Sequence, residues 1–167
     1  MSGAYSDIMI CKVWSDLEKD VSQDSITAQR KYRRLDLDKE TGIRLGCVSP
    51  GIVWEMLVEA GKPGEVFDID LPEWKGMGFD IVSLDVPLPN TSHIRLFMDQ
   101  KEYRDIFVAI CADLIRSLDE CLSNESRRKE ISDFLARWGR FFKRYGQEGL
   151  SPERQRGLLG ELWWLRR

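Results

Sequence analysis

Residues 43–60 read IRLGCVSPGIVWEMLVEA, two apolar-polar alternations on either side of a Pro-Gly pair. Ile43, Leu45 and Cys47 alternate with Arg44 and Gly46. Ile52, Trp54, Met56 and Val58 then share one side of the next segment, with Glu55 and Glu59 on the other. Successive side chains of a strand point to opposite faces, so a period of two predicts two strands, each with one apolar face. Pro50-Gly51 supplies the turn between them. Working outward, Phe67, Ile69 and Leu71 alternate with Asp68 and Asp70, and residues 79–86 and 93–98 give two further strands. Turn-forming residues at 62–64, 76–78 and 87–90 separate these segments. The connections are too short for crossover helices, so an antiparallel sheet of about five or six strands is expected.

On both sides of the sheet the period changes to that of a helix. Before it, Ile10, Val13, Trp14 and Leu17 place an amphipathic helix over Asp7–Val21. After Asp99, Tyr103, Phe107, Ile110, Leu114, Leu118 and Cys121 line one helix face. Ile131, Phe134, Leu135, Trp138, Phe142 and Tyr145 line the next, with Gly146 as its stop. Ser151-Pro152-Glu153 carries the chemistry of a third helix start: a capping hydroxyl, a first-turn proline and a carboxylate at the positive end of the dipole. The expected fold is therefore α+β, an N-terminal helix, an antiparallel sheet and three C-terminal helices. It divides into a sheet domain at 1–123 and a helical extension at 124–167.

Composition narrows the function. A 43% apolar and 32% charged chain is that of a globular protein. No apolar run reaches membrane-spanning length, and the first residues lack the order of a signal peptide. A cytoplasmic protein without a membrane partner is expected. Cys11, Cys47, Cys111 and Cys121 form no CxxC pair and read as free thiols. The single histidine, His93, lacks the neighbours of a zinc site and reads as a surface or edge residue. Residues 124–167 carry 11 Lys/Arg against 6 Asp/Glu, while residues 1–123 have a balance of −8. A basic end of this kind meets an acidic partner or the acidic remainder of its own fold.

Three sets of residues could carry chemistry. Glu73-Trp74-Lys75, preceded by Asp68 and Asp70, has the carboxylate and lysine content of a Mg²⁺-dependent nuclease site. Pro72 before it and Gly76-Met77-Gly78 after it favour a loop, whereas that chemistry needs the triplet on a strand. Arg30, Lys31, Tyr32, Arg33 and Arg34 put four cations around an aromatic ring near the first strand. Arg137, Arg140 and Arg144 recur along one helix. Such groups neutralise phosphates, and tyrosine stacks on bases. Asp133, four residues before Arg137, offers the alternative of pairing on a solvated helix face. Trp163 and Trp164 suit a protein contact, with a second copy or another subunit. Gly157 and Gly160 inside the third helix would permit close packing of another element.

The C-terminal third resembles a known family. Residues 134–142 (FLARWGRFF), 149–157 (GLSPERQRG) and 158–165 (LLGELWWL) are similar to PD-(D/E)XK nucleases encoded beside DNA methyltransferases and ATPases in restriction-like and phage-defence islands. The strand and helix of residues 94–114 also resemble that family, and the first half matches it in outline only. The resemblance implies that the catalytic Asp and E-x-K residues, and the Mg²⁺ they hold, follow the G-E-L-W helix. It places this chain as an N-terminal domain without cofactor of its own, helping to position DNA beside a C-terminal domain or another defence subunit. It also implies that Glu161 stands near the active site, with a packing role inside the helix as the alternative. The competing expectations are an interaction domain built on Trp163 and Trp164, and a self-contained nuclease built on Asp68 or Asp70, Glu73 and Lys75.

Overall fold

The computed structural model describes residues 6–22, 28–35, 42–62, 76–84, 90–121, 123–145, 157 and 160. Helix α1 spans Asp7–Ser22, as its periodicity requires. Ser6 caps it: its hydroxyl accepts the Met9 N–H at 3.3 Å, while Asp7 in the first turn and Lys19 in the last complement the dipole. Five strands follow, β1 Gln29–Arg34, β2 Ile43–Ser49, β3 Val53–Gly61, β4 Met77–Leu84 and β5 Thr91–Met98. They form one sheet in the order β1-β2-β3-β5-β4, with every neighbouring pair antiparallel. The chain then makes a 3-10 turn at Lys101–Tyr103, helix α2 at Arg104–Asp119 and helix α3 at Asn124–Tyr145. Ser123 and Ser126 cap α3 reciprocally, each side-chain oxygen accepting the other's N–H at 3.1 Å.

The α+β class and the order helix, antiparallel sheet, helices follow the sequence reading. Two local expectations change. The basic run 29–34 is itself the edge strand β1, because its backbone pairs residue by residue with β2 although it lacks an apolar alternation. Ile52 lies in the turn after the cis Ser49–Pro50 bond, at φ 53°, and β3 begins one residue later. The strand expected at 67–71 lies outside the described residues. Of the third C-terminal helix, Gly157 and Gly160 are described, and both are helical and exposed. A Cβ at either glycine would meet nothing within 4 Å.

The core lies on one face of the sheet. Register sets Ile43, Leu45 and Cys47 of β2 opposite Val58, Met56 and Trp54 of β3, and these opposite Ile94, Leu96 and Met98 of β5. All nine are buried, and the three helices close over them with Trp14, Leu17, Phe107, Leu114, Phe134 and Trp138 among others. Full burial of one such side chain contributes roughly 1.5–3 kcal/mol. Trp14 is held by ring contacts and by hydrogen bonds at once. Its ring stacks on Trp54 with centroids 5.3 Å apart and planes within 8°, and Phe107 lies 5.2 Å away. Its indole N–H is shared between the backbone oxygens of Gly46 at 3.1 Å and Glu55 at 3.2 Å, which fixes α1 to the centre of the sheet. Beside it, Glu18 Oε2 accepts from Trp54 Nε1 at 3.2 Å and Arg104 Nη2 at 2.7 Å, and the Arg104 guanidinium lies 4.4 Å from the Trp54 ring centroid. One carboxylate thus joins α1, β3 and α2. Asp113 does the same for α2 and α3, accepting from Trp138 Nε1 at 3.1 Å and Arg137 Nη2 at 3.4 Å.

Candidate functional site

The alternate residues of the same strands form a second face of different chemistry. Because the sheet is antiparallel and in register, they fall into rows that run across it. Tyr32, Gly46, Glu55, Phe97 and Gly78 make one row through all five strands. Arg34, Arg44, Leu57, Arg95 and Asp80 make the next. Glu59, His93 and Val82 follow. The glycines have a steric purpose here. A Cβ on Gly46 would lie 2.5 Å from the Tyr32 ring, and one on Gly78 would lie 2.3 Å from the Phe97 ring. Each ring therefore lies flat against the neighbouring strand, filling the space of a missing side chain.

Between the rings runs an ion-pair network centred on Arg95. Its guanidinium makes a two-pronged contact with Asp80, Nε to Oδ1 at 2.8 Å and Nη2 to Oδ2, while Nη1 lies 3.6 Å from Glu55 Oε2. It also lies 4.8 Å from the Phe97 centroid. Hydrogen bonding to Asp80 holds the Arg95 pKa above its ordinary value. Glu55 is fully buried, so its charge depends on Arg95 for compensation. Burial, and then the adjacent Glu55, push the Tyr32 phenol well up, which keeps it neutral.

Arg44 and His93 form the second part of the face. Both are buried, Arg44 at 7% exposure, and Arg44 Nη1 lies 3.5 Å from His93 Nε2. Burial first, and Arg44 second, lower the His93 pKa below its usual 6.5, while Glu59 opposes them. His93 is thus neither a surface nor an edge residue. It sits on β5, between β3 and β4, where its ring is enclosed by its cross-strand neighbours.

The basic run 30–34 is divided by the strand. Lys31 and Arg33 point to the helix side, where Lys31 Nζ donates to the Asp20 carbonyl at 2.9 Å and Arg33 stands 4.0 Å from Asp16. Arg30, Tyr32 and Arg34 belong to the charged face, and both arginines are exposed at the sheet edge. On α3, Arg137 pairs with Asp113 of α2 rather than with Asp133, because its helix lies against α2. Arg140 is exposed, and the side chain of Arg144 lies outside the described residues. So do Asp68, Asp70, Glu73, Lys75, Glu161, Trp163 and Trp164.

Sequence reading missed Arg44, Glu55, Asp80 and Arg95 as a group. Each stands alone in its own segment, and only the register joins them. Among the described residues no three His, Cys, Asp or Glu side chains stand close enough to hold a metal ion. Glu55 and Asp80 are both committed to Arg95, so the donor set of this face does not fit the Mg²⁺ that the resemblance implies. The cysteines are free thiols; burial pushes Cys47 up to about 11 and Cys111 well above its usual value. No described helix is long and apolar enough to cross a membrane.

These features define an α+β protein with a helix-packed sheet face and a charged one. The chain belongs to the family described as "Putative PD-(D/E)XK family member", whose family model matches residues 10–167. That match includes the three C-terminal segments in which the resemblance was read. No curated protein and no solved structure matches the chain.

Proposed function

We infer that this chain is the nucleic-acid-positioning, non-catalytic part of a PD-(D/E)XK-type nuclease in a restriction-like defence system. The family match over residues 10–167 carries this reading. Two features support it: Arg30 and Arg34 are exposed on one side of an edge strand, and two carboxylates of that face, Glu55 and Asp80, are engaged with Arg95. Side chains of this kind neutralise backbone phosphates and hold the polymer in place, while Mg²⁺-dependent cleavage belongs to family residues elsewhere. The test is fluorescence anisotropy with a labelled DNA duplex and the corresponding single strand. Affinity is expected to fall steeply as salt rises from about 50 to 200 mM, by the release of condensed counterions. Absence of binding even at the low-salt end would sink the reading for this chain.

A second reading, a protein-interaction surface, is supported by a different place in the fold. Ile8 and Met9 at the start of α1 are 81% and 54% exposed, side by side. Sedimentation of wild type and an Ile8→Ser/Met9→Ser variant distinguishes it, since only an interaction surface makes the two differ in mass.

A further inference from the structure

We propose that β4 is a pairing edge for a second copy of this chain, two copies joining through antiparallel β4–β4 pairing centred on Ile81. The inference goes beyond the nucleic-acid reading and rests on a different part of the sheet.

The two edges of the sheet are built differently. β1 carries Arg30, Lys31, Arg33 and Arg34 among its six residues, the kind of charge that keeps one sheet edge from pairing with another. β4 reads MGFDIVSL, without lysine, arginine or proline, and it keeps an unbroken register with β5. Its one charge, Asp80, is held by Arg95. Among the described residues β4 pairs with β5 alone. Ile81 is 43% exposed, one of three large apolar side chains of the described residues that stay in water, and Ser83 is exposed beside it.

Backbone alternation decides which groups this edge offers. The Glu59 N–H donates to the Gly42 oxygen at 3.2 Å, so the backbone groups of Glu59 face β2 and those of Val58 face β5. Val58 is paired with Ile94, so Ile94 faces back to β3, and its neighbour His93 faces β4 and meets Val82. The N–H and C=O groups of Ile81 and Ser83 therefore point outward from the sheet, where they form a template for another strand.

A second β4 related by a two-fold axis fits that template. With Ile81 opposite the partner's Ile81, the two residues exchange both backbone hydrogen bonds, and their exposed side chains shield each other from water. The same register sets Asp80 opposite the partner's Val82, so no like charges meet, whereas centring the pair on Asp80 would oppose two carboxylates. β1 is excluded from a pairing of this kind because two copies of it would oppose cations. β4 laid on the partner's β1 would leave an edge free at each end and grow without closing, while the two-fold pair closes. An edge contact of one strand is small, so the dimer is expected to be reversible and concentration-dependent.

The test is sedimentation velocity over a range of protein concentrations, on the full chain and three variants. Ile81→Lys sets two cations opposite each other across the axis. Ser83→Pro removes an outward N–H while leaving the ladder to β5 intact. Ile8→Ser/Met9→Ser alters the exposed start of α1 instead. Wild type and I8S/M9S are expected to approach twice the monomer mass as concentration rises, while I81K and S83P stay monomeric. In wild type, hydrogen exchange at the Ile81 and Ser83 amides should slow with concentration. Helical circular dichroism shows that each variant is folded, and if S83P is not, I81K and the amide exchange decide. A wild type that stays monomeric overturns the proposal. So does association that persists in folded I81K, association lost only in I8S/M9S, or growth beyond the dimer.

Discussion

On the helix-covered face of the sheet, Leu45 of β2 meets Met56 of β3; one residue further along each strand, Gly46 meets Glu55. Both of these pairs are buried, yet burial is achieved by opposite means. The covered face removes apolar surface from water, a gain that needs no particular geometry and hardly responds to salt. The charged face buries Glu55, Arg44 and His93, and each must be offset by a partner at a defined distance. The same strands therefore hold one layer tolerant of small changes in chemistry and one that is not.

The contrast can be broken most severely from the covered side. Trp14→Ala removes a stacked ring and the N–H shared by two backbone oxygens, and is expected to cost about 3–5 kcal/mol in urea unfolding. On the charged side, Arg95→Met leaves Glu55 buried without compensation, for about 3 kcal/mol, the low end for a broken buried pair because Asp80 remains partly solvated. The sharper measurement is the double variant Glu55→Leu/Arg95→Met. Recovery of most of that loss shows that the penalty was an orphaned charge; equal instability of single and double variants would refute it.

Glycines give a gentler probe. Gly46→Ala drives a methyl group to 2.5 Å from the Tyr32 ring and is expected to destabilise by about 1–3 kcal/mol. Gly157→Ala, helical with open space around it, is expected to stabilise by up to about 1 kcal/mol. Thermal unfolding of the pair checks the opposite signs. The smallest effect is one of pH. The folded protein keeps His93 neutral below 6.5, whereas the unfolded chain takes up its proton there. Stability is thus complete above about pH 6.5 and declines as pH falls toward the lower folded value. His93→Gln should flatten that part of a stability–pH curve; an unchanged slope would show that other groups set it.

The fold was largely legible because its strongest signals are local. Period-two spacing at 43–47 and 54–58, and helical spacing at 10–17, 103–121 and 131–142, come from side chains that must all reach one core. β1 escaped this logic because an edge strand composed of Gln, Arg, Lys and Tyr is specified by pairing with β2, not by its own pattern. The charged face escaped for a related reason. Arg44, Glu55, Asp80 and Arg95 are distant in the chain, and each reads as an ordinary outward-facing residue until register sets them in adjoining rows. His93 was misjudged similarly, since nothing beside it in the chain announces Arg44 across the sheet.

The parallel stack of Trp14 on Trp54 also has a practical consequence. The two indoles belong to different elements, α1 and β3, and they couple electronically only while the helix lies on the sheet. Their shared near-ultraviolet circular dichroism is thus a built-in optical gauge of helix docking. Compared with a Trp14→Phe control, it would register the lifting of α1 from the hairpin beneath it, without any added label.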